Sequence, residues 1–369
     1  MLKTSLKMRV LELYSGIGGM HYALQESSVT GKIITSIDIN TTANKVYRHN
    51  FPETANISRN IESFTVEEIA KLQIDCILMS PPCQPFTRIG LKKDSDDNRC
   101  LSLLHILQII PRIESLDYIL LENVKGFESS QARNEVILCL EKSGFNYKEL
   151  ILSPCQFGIP NSRHRYYLIA KRKGLKFIFD DASLISSIPE KVLELLPKSR
   201  YMSVPLEDGT HSSIKSKGKC FKLKYILESN VDQNFLIPGK ILLKRGNLLD
   251  IRTAESNGSC CFTKAYSHYV EGTGSVFSPS SDFEIKKKFE EINKSSETPE
   301  DKMQALLDLK VRYFTPKEVS RLMCFPENFE FPKDLSNKQK YRLLGNSINV
   351  HVVSQLIYLL YFENSVSLT

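Results

Sequence analysis

No two of the nine cysteines in this 369-residue sequence are spaced as CxxC, and none stands with a histidine at zinc-ligand separation. No metal site is therefore expected, and a disulfide-stapled secreted scaffold is excluded. Several cysteines sit inside apolar runs, as in a reduced, intracellular protein. No run approaches the roughly 20 apolar residues of a membrane span. The opening "MLKTSLKMRVLELYSG" has too short an apolar stretch for a secretory signal, and "QLIYLLYF" near the end reads as a buried helix. No internal repeat is visible. The spaced glycines of GxGxxG are missing as well, which disfavours a nicotinamide-dependent oxidoreductase.

What is present is a globular composition, 41% apolar and 25% charged, in a chain long enough for two domains with cores of their own. The formal net charge of +7 leans towards a polyanionic partner.

From residue 8 to about 171, β-type runs alternate with amphipathic segments. "MRVLELYSG", "IITSIDI", "DCILMS", "DYILLENV", "KELILS" and "RYYLIAKR" read as strands. Thr65 with Glu68 predicts a capping box, Pro111 stops the run from Leu101, and Gly144 closes a helix. Strands spaced by helices imply right-handed crossovers and a mostly parallel sheet. After residue 171 the rhythm breaks, with lysines dispersed from 215 to 224 and short irregular β-like runs to about 280, which predicts a second, smaller domain. "NKSSETPEDK" reads as a polar linker or insertion. Thr315, Pro316 and Glu318 then predict a capped helix start. The expected division is 1–175, 176–310 and a returning segment 311–369.

"LELYSGIGGMHYAL" runs from a strand into Gly16, Gly18 and Gly19 and on into a helical pattern. Such a bend is either a plain tight turn or a place where backbone amides approach a ligand. Asp38 ends the next strand about twenty residues on, where a carboxylate holds ribose hydroxyls. Without a third spaced glycine to sit over a pyrophosphate, a nucleoside such as S-adenosylmethionine fits better. Asn60, Ile61 and Glu62 fall at a third strand end, placed to read an adenine amino group.

In "SPPCQPFTRIG" the prolines stop a central strand and produce a stiff exit loop, so Cys83 is aimed rather than buried. Glu122 and Asn123 in "LLENV" end another strand, and Arg163 and Arg165 in "NSRHRYYLIA" are expected on one face at a strand start. Each feature alone has an ordinary explanation: a core thiol, a solvated carboxylate, a surface ion pair. Together they suit one chemistry. A Cys83 thiolate adds to C6 of cytosine while Glu122, kept protonated, bonds N3, and C5 then attacks a sulphonium methyl. Arg165 and Arg163 would lower the thiol pKa and hold the nucleotide.

These residues resemble the cytosine-5 methyltransferases. "YSGIGG" is similar to that family's cofactor motif, "PPCQPFT" to its nucleophile motif, "ENV" to its acid motif and "SRHR" to its arginine motif. "FTPKEVSRLMCFP" and "LLGNSINV" resemble its two C-terminal motifs. The resemblance implies an α/β, Rossmann-like S-adenosylmethionine-dependent methyltransferase sheet with a smaller, mixed target-recognition domain. It implies cofactor contacts at Ser15, Ile17, Gly18, Gly19, Asp38, Ile61, Glu62, Ser80 and Pro82. Asn346 and Ser347 would close over the cofactor's methionine end. Cys324 departs from the pattern, since a glycine commonly precedes "FP" in this family.

"CFTKAYSHYVEGTGSV" looks like the signature of the branch acting on aspartate tRNA, which implies substrate contacts at Cys261, Phe262 and Thr263 and methylation of cytosine 38 in the anticodon loop. A loop cytosine is already unstacked, and dispersed lysines suit RNA phosphates, although they equally suit a solvated face. The short stretch before the first motif is unlike the long regulatory region of animal DNA enzymes. A DNA cytosine-5 methyltransferase and a non-catalytic binding module remain the rival readings. A monomer is expected, cytoplasmic with access to the nucleus, with weak DNA contact and no membrane or metal partner.

Overall fold

The structure is a computed structural model describing residues 7–82, 101–179, 184–199, 203–205, 211–213 and 220–362. Cys83 and the rest of its loop lie outside the described residues.

Seven strands form the central sheet: β1 Met8–Leu13, β2 Gly31–Asp38, β3 Ala55–Ser58, β4 Cys76–Met79, β5 Tyr118–Val124, β6 Phe145–Leu152 and β7 Arg165–Arg172. Their order is β3-β2-β1-β4-β5-β7-β6. The first five run parallel, while β7 lies antiparallel between β5 and β6. The link from β6 to β7 explains this reversal. It carries Pro154 and Pro160 and forms only a short 3-10 turn, Pro154–Phe157, with no helix to return the chain in parallel. Strand β3 is not among the six apolar runs, because "ANIS" is a largely exposed edge strand of only four residues; Asn60, Ile61 and Glu62 follow its end, as expected.

Both faces of the sheet are covered, as its almost uninterrupted apolar strands require. Val10, Leu78, Leu120, Tyr167 and Ile169 face one core, which includes Met20 and Ala23 of helix α1 Gly19–Glu26 and Val46 of α2 Thr41–Asn50. Their neighbours Leu11, Ile77, Leu121, Tyr166 and Leu168 face the other, with Ile69 of α3 Val66–Ala70, Ile106 of α4 Leu101–Ile109 and Val136 of α5 Gln131–Lys142. The alternation follows from the two-residue period of a strand. Local chemistry sets the helix ends: Asn40 caps α2, Thr65 and Glu68 form the expected box on α3, and Ser130 caps α5. Gly144, with φ 74°, follows the end of α5 in the left-handed conformation.

Further along the chain, Ile251–Arg252, Val276–Phe277 and Arg312–Tyr313 make a three-stranded sheet beside a small core containing Ile237, Leu242, Leu306 and Val311. The polar stretch 293–302, read as a linker, joins two helices, Asp282–Lys294 and Pro299–Leu307. Its polarity is partly cap chemistry, since the Thr298 side chain accepts from the Asp301 amide. Thr315 and Glu318 form a complete capping box with Pro316 in the first turn. The buried helix Val350–Tyr361 packs on α1, β5 and β7, returning the chain's end to the main sheet. Cys324 has φ 61°, so the glycine that the family pattern favours there answers a real left-handed turn.

Candidate active site

A cavity of about 550 Å³ opens at the carboxyl edge of the parallel strands, where open α/β sheets place ligand crevices. At the end of β1 the chain bends sharply. Tyr14, Gly16 and Gly18 all take positive φ, and Gly18 begins α1. A Cβ on Gly18 would meet the Phe51 ring at 2.5 Å, and one on Gly19 would meet Ile348 at 2.8 Å, so bulkier residues are excluded here. The Gly16 amide donates to Asp38 Oδ2 at 2.8 Å, and the Asn40 amide to Oδ1 at 2.8 Å. Burial raises the Asp38 pKa, with those amides opposing.

At the end of β4 the Ser80 hydroxyl donates to the Tyr14 carbonyl at 3.2 Å, and Asn123 Nδ2 donates to the Pro81 carbonyl at 3.4 Å. The exit of the proline loop is thus fastened to the glycine bend on one side and to β5 on the other. Pro82, next to Cys83, lines the cavity.

Glu122 belongs to β5 and is buried, with 8% exposure. Burial raises its pKa, while Arg165 and Arg163 pull the other way. Because β7 is antiparallel, its first residue Arg165 pairs with Val124 and reaches the same edge as the strand ends of the parallel set. Arg165 Nε lies 3.4 Å from Glu122 Oε1.

Arg163, expected on the strand beside Arg165, instead precedes β7 and has a different set of partners. Its guanidinium donates to the carbonyls of Phe262 (3.2 Å), Gly345 (3.1 Å) and Ser347. It therefore joins three distant segments as well as lining the cavity. Cys261 Sγ lies 3.4 Å from Arg163 Nη1 and 3.9 Å from Arg165 Nη2. Burial works to raise its pKa, but the two guanidiniums outweigh it and the net direction is down.

The predicted Ser15, Gly16, Ile17, Gly19, Asp38, Asn60, Ile61, Glu62, Ser80, Pro82, Glu122, Arg163, Arg165, Asn346 and Ser347 all line this one cavity. Gly18, Cys261, Phe262 and Thr263 do not; Phe262 is buried, edge-on to Tyr266 and Phe314. Sequence reasoning missed Ile39, Arg59, Lys264 and Gly345, which also line it. Lys264 and Gly345 each adjoin a residue already singled out. A Cβ on Gly345 would run into the backbone of Thr263 and Lys264, which is why that position is glycine.

A family model described as C-5 cytosine-specific DNA methylase matches residues 8–360. The chain belongs to that family. Among relatives of this methylase, a Spodoptera frugiperda protein named tRNA (cytosine(38)-C(5))-methyltransferase is 46% identical over 96% of this chain and 99% of its own. A human protein of the same name is 45% identical over the same shares. The crystal structure of a mutant Spodoptera frugiperda DNMT2 superposes with a TM-score of 0.83 at 43% identity, covering 96% of this chain and 100% of that one. The α/β architecture, with its seven-stranded sheet, is that of a cytosine-5 methyltransferase.

Proposed function

We propose that this methyltransferase carries a methyl group from S-adenosylmethionine to C5 of cytosine 38 in the anticodon loop of aspartate tRNA. The names of the Spodoptera frugiperda and human relatives, more similar than one from Dictyostelium discoideum named DNA (cytosine-5)-methyltransferase, support tRNA over duplex DNA as substrate. The carrying observation within the fold is the buried Glu122–Arg165 pair, held at 3.4 Å in the same cavity as the glycine bend and Asp38.

The residues present suit the cofactor. The Ser15 hydroxyl is buried on the cavity wall without a hydrogen-bond partner among the described residues, as a group reserved for a ligand would be. The bend beside it has no Cβ at Gly16, Gly18 or Gly19. Asp38 would hold ribose hydroxyls, Asn60 to Glu62 the adenine end, and Asn346 and Ser347 the amino-acid end. Bound there, S-adenosylmethionine supplies an electrophilic methyl group.

The chain's own residues do the rest. Cys83 adds as thiolate to C6 of the cytosine, and Glu122, its pKa raised by burial, donates its proton toward the charge that develops on N3. Arg165 faces Glu122 and contributes positive charge to the pocket; Arg163 holds the walls together. After the methyl has arrived, the C5 proton leaves and the C6–S bond breaks, releasing Cys83. We infer a monomer acting in the cytoplasm. The test is methyl transfer from labelled cofactor to total tRNA and to duplex DNA, with bisulphite sequencing of the tRNA. Label confined to DNA, or to tRNA positions other than 38, would overturn the proposal.

A further inference from the structure

The turn after Phe262 contains two tyrosines with opposite fates. Tyr266 is buried, edge-on to Phe262, Tyr313 and Tyr341. Its hydroxyl donates to the Ser275 carbonyl at 2.7 Å and accepts from the Phe314 amide at 2.9 Å. Tyr269, three residues on, is 62% exposed.

The backbone between them is fixed. The Ala265 carbonyl accepts from the amides of both His268 (3.0 Å) and Tyr269 (3.2 Å), and the Thr273 hydroxyl donates to the Tyr269 carbonyl at 2.6 Å. Ser267 is held at φ 67°, a left-handed conformation that a residue with a Cβ rarely adopts. A turn anchored this firmly, and strained at Ser267, presents an aromatic ring to solvent. The His268 ring meets the Tyr269 ring edge-on at 4.5 Å and steadies it. The same turn sends Lys264 to the cavity wall.

A fixed, exposed aromatic face, whose backbone amide bonds the carbonyl of Ala265 next to the cavity-lining Lys264, is what a single-stranded RNA base stacks on. We propose that Tyr269, steadied by His268, is a stacking platform for an unpaired nucleobase flanking the target cytosine, with Lys264 meeting the adjoining phosphate. Tyr269 is then an RNA-binding residue that acts before chemistry, and the inference rests on the tRNA reading above. An unstacked target cytosine gives its loop neighbour no stacking partner on that side, and the platform supplies one.

The experiment is steady-state methylation of an anticodon stem-loop RNA by the full chain with Tyr269→Ala, Tyr269→Leu, Tyr269→Phe and Tyr269→Trp, beside the unaltered protein. Alanine and leucine are expected to raise KM for RNA about tenfold with kcat within about threefold, since stacking is sequence-tolerant binding energy expressed before the transition state. Phenylalanine and tryptophan should restore it, and affinity for S-adenosylmethionine should stay unchanged in all four. With RNAs carrying one abasic site at each loop position in turn, the unaltered protein should lose affinity at one position next to the target where Tyr269→Ala loses none. A KM for Tyr269→Leu within twofold of the unaltered protein would overturn the platform. So would equal losses for Tyr269→Phe, or an abasic position at which both proteins lose equally. If the unaltered protein methylates no tRNA, it is the substrate reading that fails.

Discussion

Arg165 Nε stands 3.4 Å from Glu122 Oε1, and the two residues come from antiparallel neighbours in the sheet. A guanidinium that close would hold an exposed carboxyl ionised. Burial of Glu122 is the larger influence and moves its pKa upward despite the two arginines. The proposed role of Glu122, an acid facing N3 of a neutral cytosine, calls for that environment.

Replacing Glu122 with glutamine should lower single-turnover methyl transfer by about 10²–10⁴-fold, the usual worth of a positioned acid. The pH profile carries the sign. The acid form of Glu122 is lost as pH rises through its raised pKa, so the unaltered protein should show a falling limb on the alkaline side. Glu122→Gln should lack that limb. A limb of the same midpoint in both would assign it elsewhere.

Two thiols need to be told apart. Cys83 is the proposed nucleophile, and Cys261 lies beside Arg163 and Arg165 with its pKa lowered. Incubation with 5-fluorocytosine-containing tRNA should trap a covalent adduct, because elimination needs a removable C5 proton. Peptide mapping should find it on Cys83 in both the unaltered protein and Cys261→Ala. Cys83→Ala should abolish turnover and trapping while leaving cofactor affinity within about threefold. An adduct on Cys261 would reverse the assignment.

Arg163 and Gly345 predict a shared phenotype. Arg163→Ala leaves the carbonyls of Phe262, Gly345 and Ser347 without their donor, at a cost of about 3 kcal/mol or more. Lysine should fail to rescue it, since an ammonium cannot reproduce the planar fork. Gly345→Ala presses a methyl into the backbone of Thr263 and Lys264. Both variants should melt earlier than the unaltered protein and bind S-adenosylmethionine more weakly, as seen by thermal shift with and without the cofactor. Normal affinity in either would show that this junction does not shape the pocket.

Glu12 offers a test in stability. It is fully buried in β1, its Oε2 accepts from the Tyr47 hydroxyl at 2.7 Å, and Oε1 has no hydrogen-bond partner within 3.5 Å among the described residues. Burial pushes its pKa up to about 8. The folded state therefore holds a proton that the unfolded chain releases near 4.5, and the stability this confers at low pH is lost as pH rises from about 4.5 to about 8. Denaturant unfolding at pH 5, 6.5 and 8 should show the unaltered protein losing ground to Glu12→Gln by up to about 1.4 kcal/mol per pH unit. A constant difference across that range would contradict the protonated state.

Much of this site was legible because its parts are local. Asp38, Ser80 and Glu122 are announced by apolar runs that end in polar residues, and the boxes at Thr65 and Thr315 by residues three apart. Cys324 stands out of pattern, and its left-handed φ gives the reason. Strand β3 is announced only by Asn60 to Glu62 beyond its end, because four residues on an exposed edge are too few to establish a period. Ile39 and Arg59 do so because a wall residue with no motif of its own has no signature until the wall exists.

The amino-acid order by itself determined which residues stand at strand ends and which way side chains alternate, since helix caps, proline stops and the two-residue period act over a few positions. It also determined the methyltransferase motifs and their sequence. Only the tertiary structure decided that β7 enters antiparallel and delivers Arg165 to Glu122. It likewise decided that Arg163 serves the Gly345 carbonyl 182 positions away and that Cys261 lies against both arginines. Those contacts depend on how separate segments fit in three dimensions, where close packing and the need to pair every buried polar group select the partners.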